Sequence, residues 1–178
     1  MIEHGWYSKA RKVLSPNYNT RPHTGDISLL VIHNISLPPG EFGGDFVERF
    51  FLNSLPASEH PYFEQISELQ VSAHCFIRRD GELVQFVPFD KRAWHAGRSV
   101  FQGREDCNDF SVGIELEGTD TEPYTEQQYQ GLAELTLSLL QAFPLITPER
   151  IVGHSDIAPS RKTDPGPAFD WGKYRSLL

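Results

Sequence analysis

A chain of 178 residues with 39% hydrophobic and 22% charged residues has the make-up of a globular domain and enough length to bury a core. The formal net charge of −8 argues against nucleic acid or an anionic membrane as partner, because neutralising phosphates needs a basic face. No stretch approaches the roughly 18 consecutive apolar residues of a membrane span, and the opening "MIEHGWYSKARKV" lacks the basic-then-apolar pattern of a secretory signal. A single domain over residues 1–178, retained in the cytoplasm, is the expectation. Cys75 and Cys107 stand singly, without the spacing of a zinc cluster or a disulfide framework, and are expected as reduced thiols, Cys75 as core packing.

The first clear element is "ISLLVIHNI" (27–35), a β-rich apolar run ending in polar residues, which predicts a buried central strand. Residues 36–63 mix Pro and Gly around a brief helical stretch near Phe46 to Leu55. Such a long insertion usually serves function or moves. In "SAHCFIRRDGELVQFVP" (72–88), two alternating runs flank Arg79-Asp80-Gly81-Glu82, which signals a hairpin. "DFSVGIELEG" (109–118) predicts a further strand. The two-residue period puts Val112, Ile114 and Leu116 on one face and Gly113, Glu115 and Glu117 on the other. "TEQQYQGLAELTLSLLQAF" (125–143) predicts a long helix, with Thr125 as N-cap and Tyr129, Leu132, Leu135, Leu139 and Leu140 as its apolar stripe. "DWGKYRSLL" predicts a short C-terminal helix. The set implies an α/β fold: a central mixed β-sheet flanked by α-helices, with a parallel crossover through helix 125–143.

Chemistry concentrates in "VGHSDIAPSRKTDPG" (152–166), where a His, two Asp and a Lys stand among Pro and Gly in what reads as an irregular loop. His154 follows the apolar "RIVG", and His33 ends the first strand. A lone histidine is more often a satisfied core residue, but two at strand ends favour a metal pair, since neutral imidazole suits Zn²⁺. A third ligand has to come from Asp156, Asp164 or a glutamate, and spacing does not separate the two aspartates. Glu115 and Glu117 fit a solvated strand face as well as a site. Lys162 is an ordinary loop lysine unless a metal lies beside it, where its ammonium could stabilise an oxyanion. His4, His23 and His60 have no supporting neighbours. His74 suits packing or support of a ligand, and "RAWHAG" (92–97) suits a pocket wall or an ordinary turn.

The blocks "LLVIHNISLPPGEFGG", "VSAH", "RAWHAG", "CNDFSVGIELEGTDT" and "GHSDIAPSRKTDPGPAFDW" together resemble the AmpD-type family of bacterial zinc amidases. The resemblance runs from about Gly5 to Trp171, and the family is related to phage amidases and peptidoglycan recognition proteins. It implies one zinc ion on His33, His154 and Asp164, with Glu115 and Lys162 as catalytic residues and Asn34, Trp94 and Ala158 lining the substrate cleft. Phage relatives carry a cysteine at the third ligand position; the aspartate here fits the AmpD branch. The implied reaction is hydrolysis of the amide between the lactyl group of anhydro-muramic acid and L-Ala, on a small soluble muropeptide in peptidoglycan recycling. No nucleic acid, membrane or obligate protein partner is implied. A non-catalytic module binding peptidoglycan fragments is the alternative, and an intact ligand set weighs against it. A structural zinc protein would need a fourth protein ligand.

Overall fold

A computed structural model describes residues 1–178. Six strands form the main sheet: β1 (Arg11–Lys12), β2 (Leu29–Ile35), β3 (Cys75–Ile77), β4 (Leu83–Gln85), β5 (Ser111–Glu117) and β6 (Ile151–Gly153). Their order is β6-β2-β5-β3-β4-β1. All neighbours are parallel except the hairpin pair β3 and β4, so the sheet is mixed, as the sequence predicts. Gly81 turns that hairpin at a φ of 89°, a left-handed conformation that glycine adopts without cost.

The helices are α1 (Phe46–Phe51), α2 (Pro61–Ile66), α3 (Glu126–Ala142), α4 (His154–Ile157) and α5 (Trp171–Ser176). Thr125 and Gln128 cap α3 reciprocally. The Thr125 hydroxyl accepts the Gln128 amide at 3.1 Å, and the Gln128 side chain accepts the Thr125 amide at 3.1 Å. Tyr129, Leu132, Leu135 and Leu139 are buried, and Leu140 packs at the margin of the same core. The chain runs from β5 through α3 to β6, and both strands lie parallel to β2, which gives the expected crossover.

Alternation along the strands sorts the sheet into two faces. Leu30 and Ile32 of β2 and Val112, Ile114 and Leu116 of β5 join Leu132, Leu135 and Tyr174 in one core under α3 and α5. On the other face, Leu29 and Val31 pack with Ala96, Cys107, Phe110 and Ile157, while Phe76 and Val84 pack with Phe50, Phe51 and Phe63 of α1 and α2. Between these two packed patches, at the carboxyl ends of the parallel strands β2 and β5, the face opens into a cleft. Open sheets with parallel strands commonly place ligands there.

Three parts differ from the sequence reading. The helix near Phe46 to Leu55 stops at Phe51, since Asn53 takes a left-handed φ of 57°. The insertion also holds α2, started by Pro61 and capped by the His60 ring accepting the Tyr62 amide at 3.1 Å. The loop 152–166 begins as strand and then one helical turn, because Asp156 Oδ2 accepts the Gly153 amide at 2.7 Å and so closes that turn.

Candidate active site

Neighbouring strands bring the chemistry together. His33 of β2 and Glu115 of β5 are direct partners in the parallel register, so their side chains rise side by side from the same face. Strand β6 pairs Val152 with Val31 and Gly153 with Ile32, and one further step along the chain is His154. The loop after α4 then returns Asp164. The His33 and His154 Nδ1 atoms lie 2.9 Å apart, and each is 3.0 Å from Asp164 Oδ2.

Three polar atoms so close together must share either a proton on an imidazole nitrogen or a cation. Two imidazole nitrogens and one carboxylate oxygen are also the donor set of many catalytic zinc sites, which keep a fourth position open. Tetrahedral ligation near 2.05 Å would set donors about 3.3 Å apart, slightly wider than this cluster. The donor set therefore fits a zinc ion. His33 and His154 are almost fully buried, and Asp164 is 13% exposed at its side chain. Burial lowers the His33 pKa to about 4, which leaves a neutral ring at pH 7. For Asp164, burial pushes the other way, but the two facing imidazoles outweigh it and hold the carboxyl below the usual range.

The Asp164 loop is pinned from several sides. The Ser155 amide donates to the Asp164 carbonyl at 3.0 Å, and the Pro165 carbonyl accepts from Asn34 Nδ2 at 3.1 Å and the Tyr124 hydroxyl at 2.8 Å. Asn34 Nδ2 also reaches Asp120 Oδ1 at 2.9 Å. Asp156, a metal candidate by sequence, is instead committed to the Gly153 amide.

Around this cluster lies a cleft of about 910 Å³ whose walls include Asn34, Trp94, Glu115, Arg161 and Lys162. Glu115 Oε2 is shielded from solvent and has no hydrogen-bond partner. Burial and the nearby Asp164 charge raise the Glu115 pKa well above the carboxylate range, with Lys162 opposing. Such a shift suits a proton carrier. Glu117 serves another purpose: its carboxylate accepts the amides of Gly43 and Arg79, fastening the insertion to the hairpin. The Trp94 indole donates to Asn19 Oδ1 at 2.9 Å. Ala158 is buried, and its carbonyl accepts the Arg161 and Lys162 amides rather than forming part of the cleft wall.

The sequence profile of N-acetylmuramoyl-L-alanine amidases matches residues 23–167. The chain belongs to that amidase family. It is 59% identical over 178 residues to the 1,6-anhydro-N-acetylmuramyl-L-alanine amidase AmpD of Escherichia coli K12, covering all of this chain and 97% of that protein. The AmpD of Citrobacter freundii is 58% identical, with 100% and 95% covered. A crystal structure of a selenomethionine AmpD derivative matches with a TM-score of 0.97 at 58% identity, covering 100% of this chain and 99% of that one. The E. coli amidase AmiD, solved with anhydro-N-acetylmuramic acid-L-Ala-D-γ-Glu-L-Lys, matches with a TM-score of 0.64 at 30% identity over 85% of this chain and 57% of that one.

For this amidase, the sequence leaves two histidines open, His74 between packing and support of a ligand and His95 between a pocket wall and an ordinary turn. His74 is buried and its Nδ1 accepts the Gly113 amide at 3.0 Å. His95 lies with Nδ1 2.9 Å from His33 Nε2 and Nε2 2.9 Å from Ser111 Oγ. A side chain at position 113 would collide with that ring, its Cβ lying 2.4 Å from His95 Cγ, so Gly113 is the signal that could have found the contact. Tyr124, which helps hold the Asp164 loop, carries no mark in its local sequence.

Proposed function

We propose that this chain is a zinc-dependent 1,6-anhydro-N-acetylmuramoyl-L-alanine amidase. It cuts the amide between the lactyl group of anhydro-muramic acid and L-Ala in small soluble muropeptides during cytoplasmic peptidoglycan recycling. The observation that carries this reading is the His33, His154 and Asp164 cluster beside an unpartnered Glu115 carboxylate in an open cleft. The substrate follows the names of the relatives and the anhydro-muramoyl peptide bound by AmiD. No helix is long and apolar enough to cross a membrane, which agrees with a dissolved substrate.

His33, His154 and Asp164 would hold a zinc ion. When bound, zinc polarises the scissile carbonyl and lowers the pKa of water to about 7. Glu115 accepts the proton of the attacking water and delivers it to the L-Ala nitrogen as the C–N bond breaks. The water oxygen stays on the lactyl carbon, and the products are a carboxylate and a peptide with a free amine. Lys162 offers its ammonium to the oxyanion that forms on the way. Asn34 and Trp94 contribute to the substrate cleft, while Ala158 shapes the loop that carries Lys162.

Incubation with anhydro-muramoyl tripeptide, before and after chelation and with zinc restored, tests the reading. Cleavage that is lost with the metal and returns with it is the expected result. Zinc binding with an intact peptide throughout would instead indicate a fragment-binding module.

A further inference from the structure

We infer that the Trp94–Gly97 turn is the frame that presents both histidine nitrogens to the metal, with His95 as the positioning residue for His33 and Ser111 behind it. This rests on the metal reading above. An imidazole that gives its Nδ1 lone pair to a metal, while neutral, carries its proton on Nε2. For His33 that proton points at His95 Nδ1, 2.9 Å away. His95 Nδ1 must then be the acceptor, so His95 carries its own proton on Nε2 and donates it to Ser111 Oγ at 2.9 Å. The relay has one direction only, Ser111 accepting from His95 and His95 accepting from His33.

The other ligand leans on the next residue of the same turn. His154 Nε2 is 3.0 Å from the Ala96 carbonyl, which can only accept, and this fixes the proton on Nε2 and frees Nδ1. The turn itself is held independently of either histidine. Asn108 Oδ1 accepts the amides of His95 at 3.1 Å and Ala96 at 2.8 Å, and Arg161 Nη2 donates to the Ala96 carbonyl at 2.7 Å. Gly113 leaves the room that the His95 ring fills. Partners of this kind set the tautomer and orientation of metal-binding histidines, and their loss typically costs 10–100-fold in metal affinity.

Two isosteres separate orientation from packing. His95→Asn keeps an acceptor where Nδ1 stands, facing His33, whereas His95→Gln reaches toward Ser111 and leaves His33 Nε2 without its acceptor. Zinc affinity is read by competition with a chromophoric chelator, and the His33 Nε2 proton by imidazole ¹⁵N–¹H spectra of the zinc-loaded protein. The expected result is near wild-type affinity and a retained Nε2–H signal in His95→Asn, against an affinity about 10–100-fold weaker and a lost or fast-exchanging signal in His95→Gln. Equal affinities in the two variants, or an unchanged His33 signal in His95→Gln, would overturn the inference. A wild-type protein that binds no zinc would overturn the underlying metal reading instead.

Discussion

Glu115 and Glu117 lie two residues apart on one face of β5, and burial gives them opposite fates. The Glu117 carboxylate spends both oxygens on backbone amides, while Glu115 keeps a shielded oxygen without a partner. Glu115→Gln removes the proposed proton carrier without touching a proposed metal ligand, so turnover should fall by about 10²–10⁴-fold while bound zinc stays at one equivalent. Parallel activity and metal analysis check this, and a variant that keeps its rate would remove Glu115 from the reaction. The raised Glu115 pKa also fixes a sign. The base works ionised, so kcat/KM should drop as pH falls through a value above the ordinary carboxylate range. A profile flat down to the normal glutamate range would contradict that assignment. The two glutamates look alike in sequence because alternation reports the face of a strand and nothing about which loop later covers it. The aspartates show the same limit. Asp156 closes a helical turn and Asp164 meets the histidines, a distinction made by backbone folding ten residues wide that local pattern does not contain.

Among the elements, strand β2 was legible as a continuous apolar run because both of its faces are buried, the hairpin by its Asp-Gly turn, β5 by its alternation and α3 by its helical period. Leu132 and Leu135 of α3 are fully buried in the larger core, and truncating either to Ala should cost about 2–5 kcal/mol, measured by denaturant melts. Thr125→Ala, which breaks the reciprocal cap, should cost about 1 kcal/mol. The N-terminal pieces were not legible. Strand β1 has only two residues, both exposed, and exists because β4 offers it an edge. Helix α1, expected near Phe46 to Leu55, forms over only six residues and is tied to the sheet by Glu48, which pairs with Arg11 at 2.6 Å and Arg78 at 2.5 Å. These long-range partners give no periodic signal. They are also why the Gly- and Pro-rich insertion packs as a wall of the cleft rather than trailing in solvent.

For the whole molecule, a polar site has been built into a buried face, and this makes its stability depend on pH. His33 and His74 are held neutral by burial, with pKa values lowered to about 4 and about 3, and burial also holds His95 well below its usual range. In the unfolded chain each takes up a proton below about pH 6.5. The unfolded state therefore binds more protons as the solution is acidified, and stability falls from pH 6.5 toward pH 4. Each histidine contributes about 1.4 kcal/mol per pH unit within that window. Thermal melts of the zinc-free protein should show the midpoint falling over this range, and a flat profile would mean the rings are not held neutral. Zinc bound to the folded cluster as proposed should add stability on top of this, raising the melting midpoint when zinc is supplied.

The proposed reaction breaks one particular amide. Its most direct test is mass spectrometry of anhydro-muramoyl tripeptide after reaction with the zinc-loaded protein in ¹⁸O-labelled water. Two products are expected, with one ¹⁸O on the lactyl carboxylate of the sugar fragment and an unlabelled peptide beginning with L-Ala. An intact substrate, or label on a peptide carboxyl group, would contradict it.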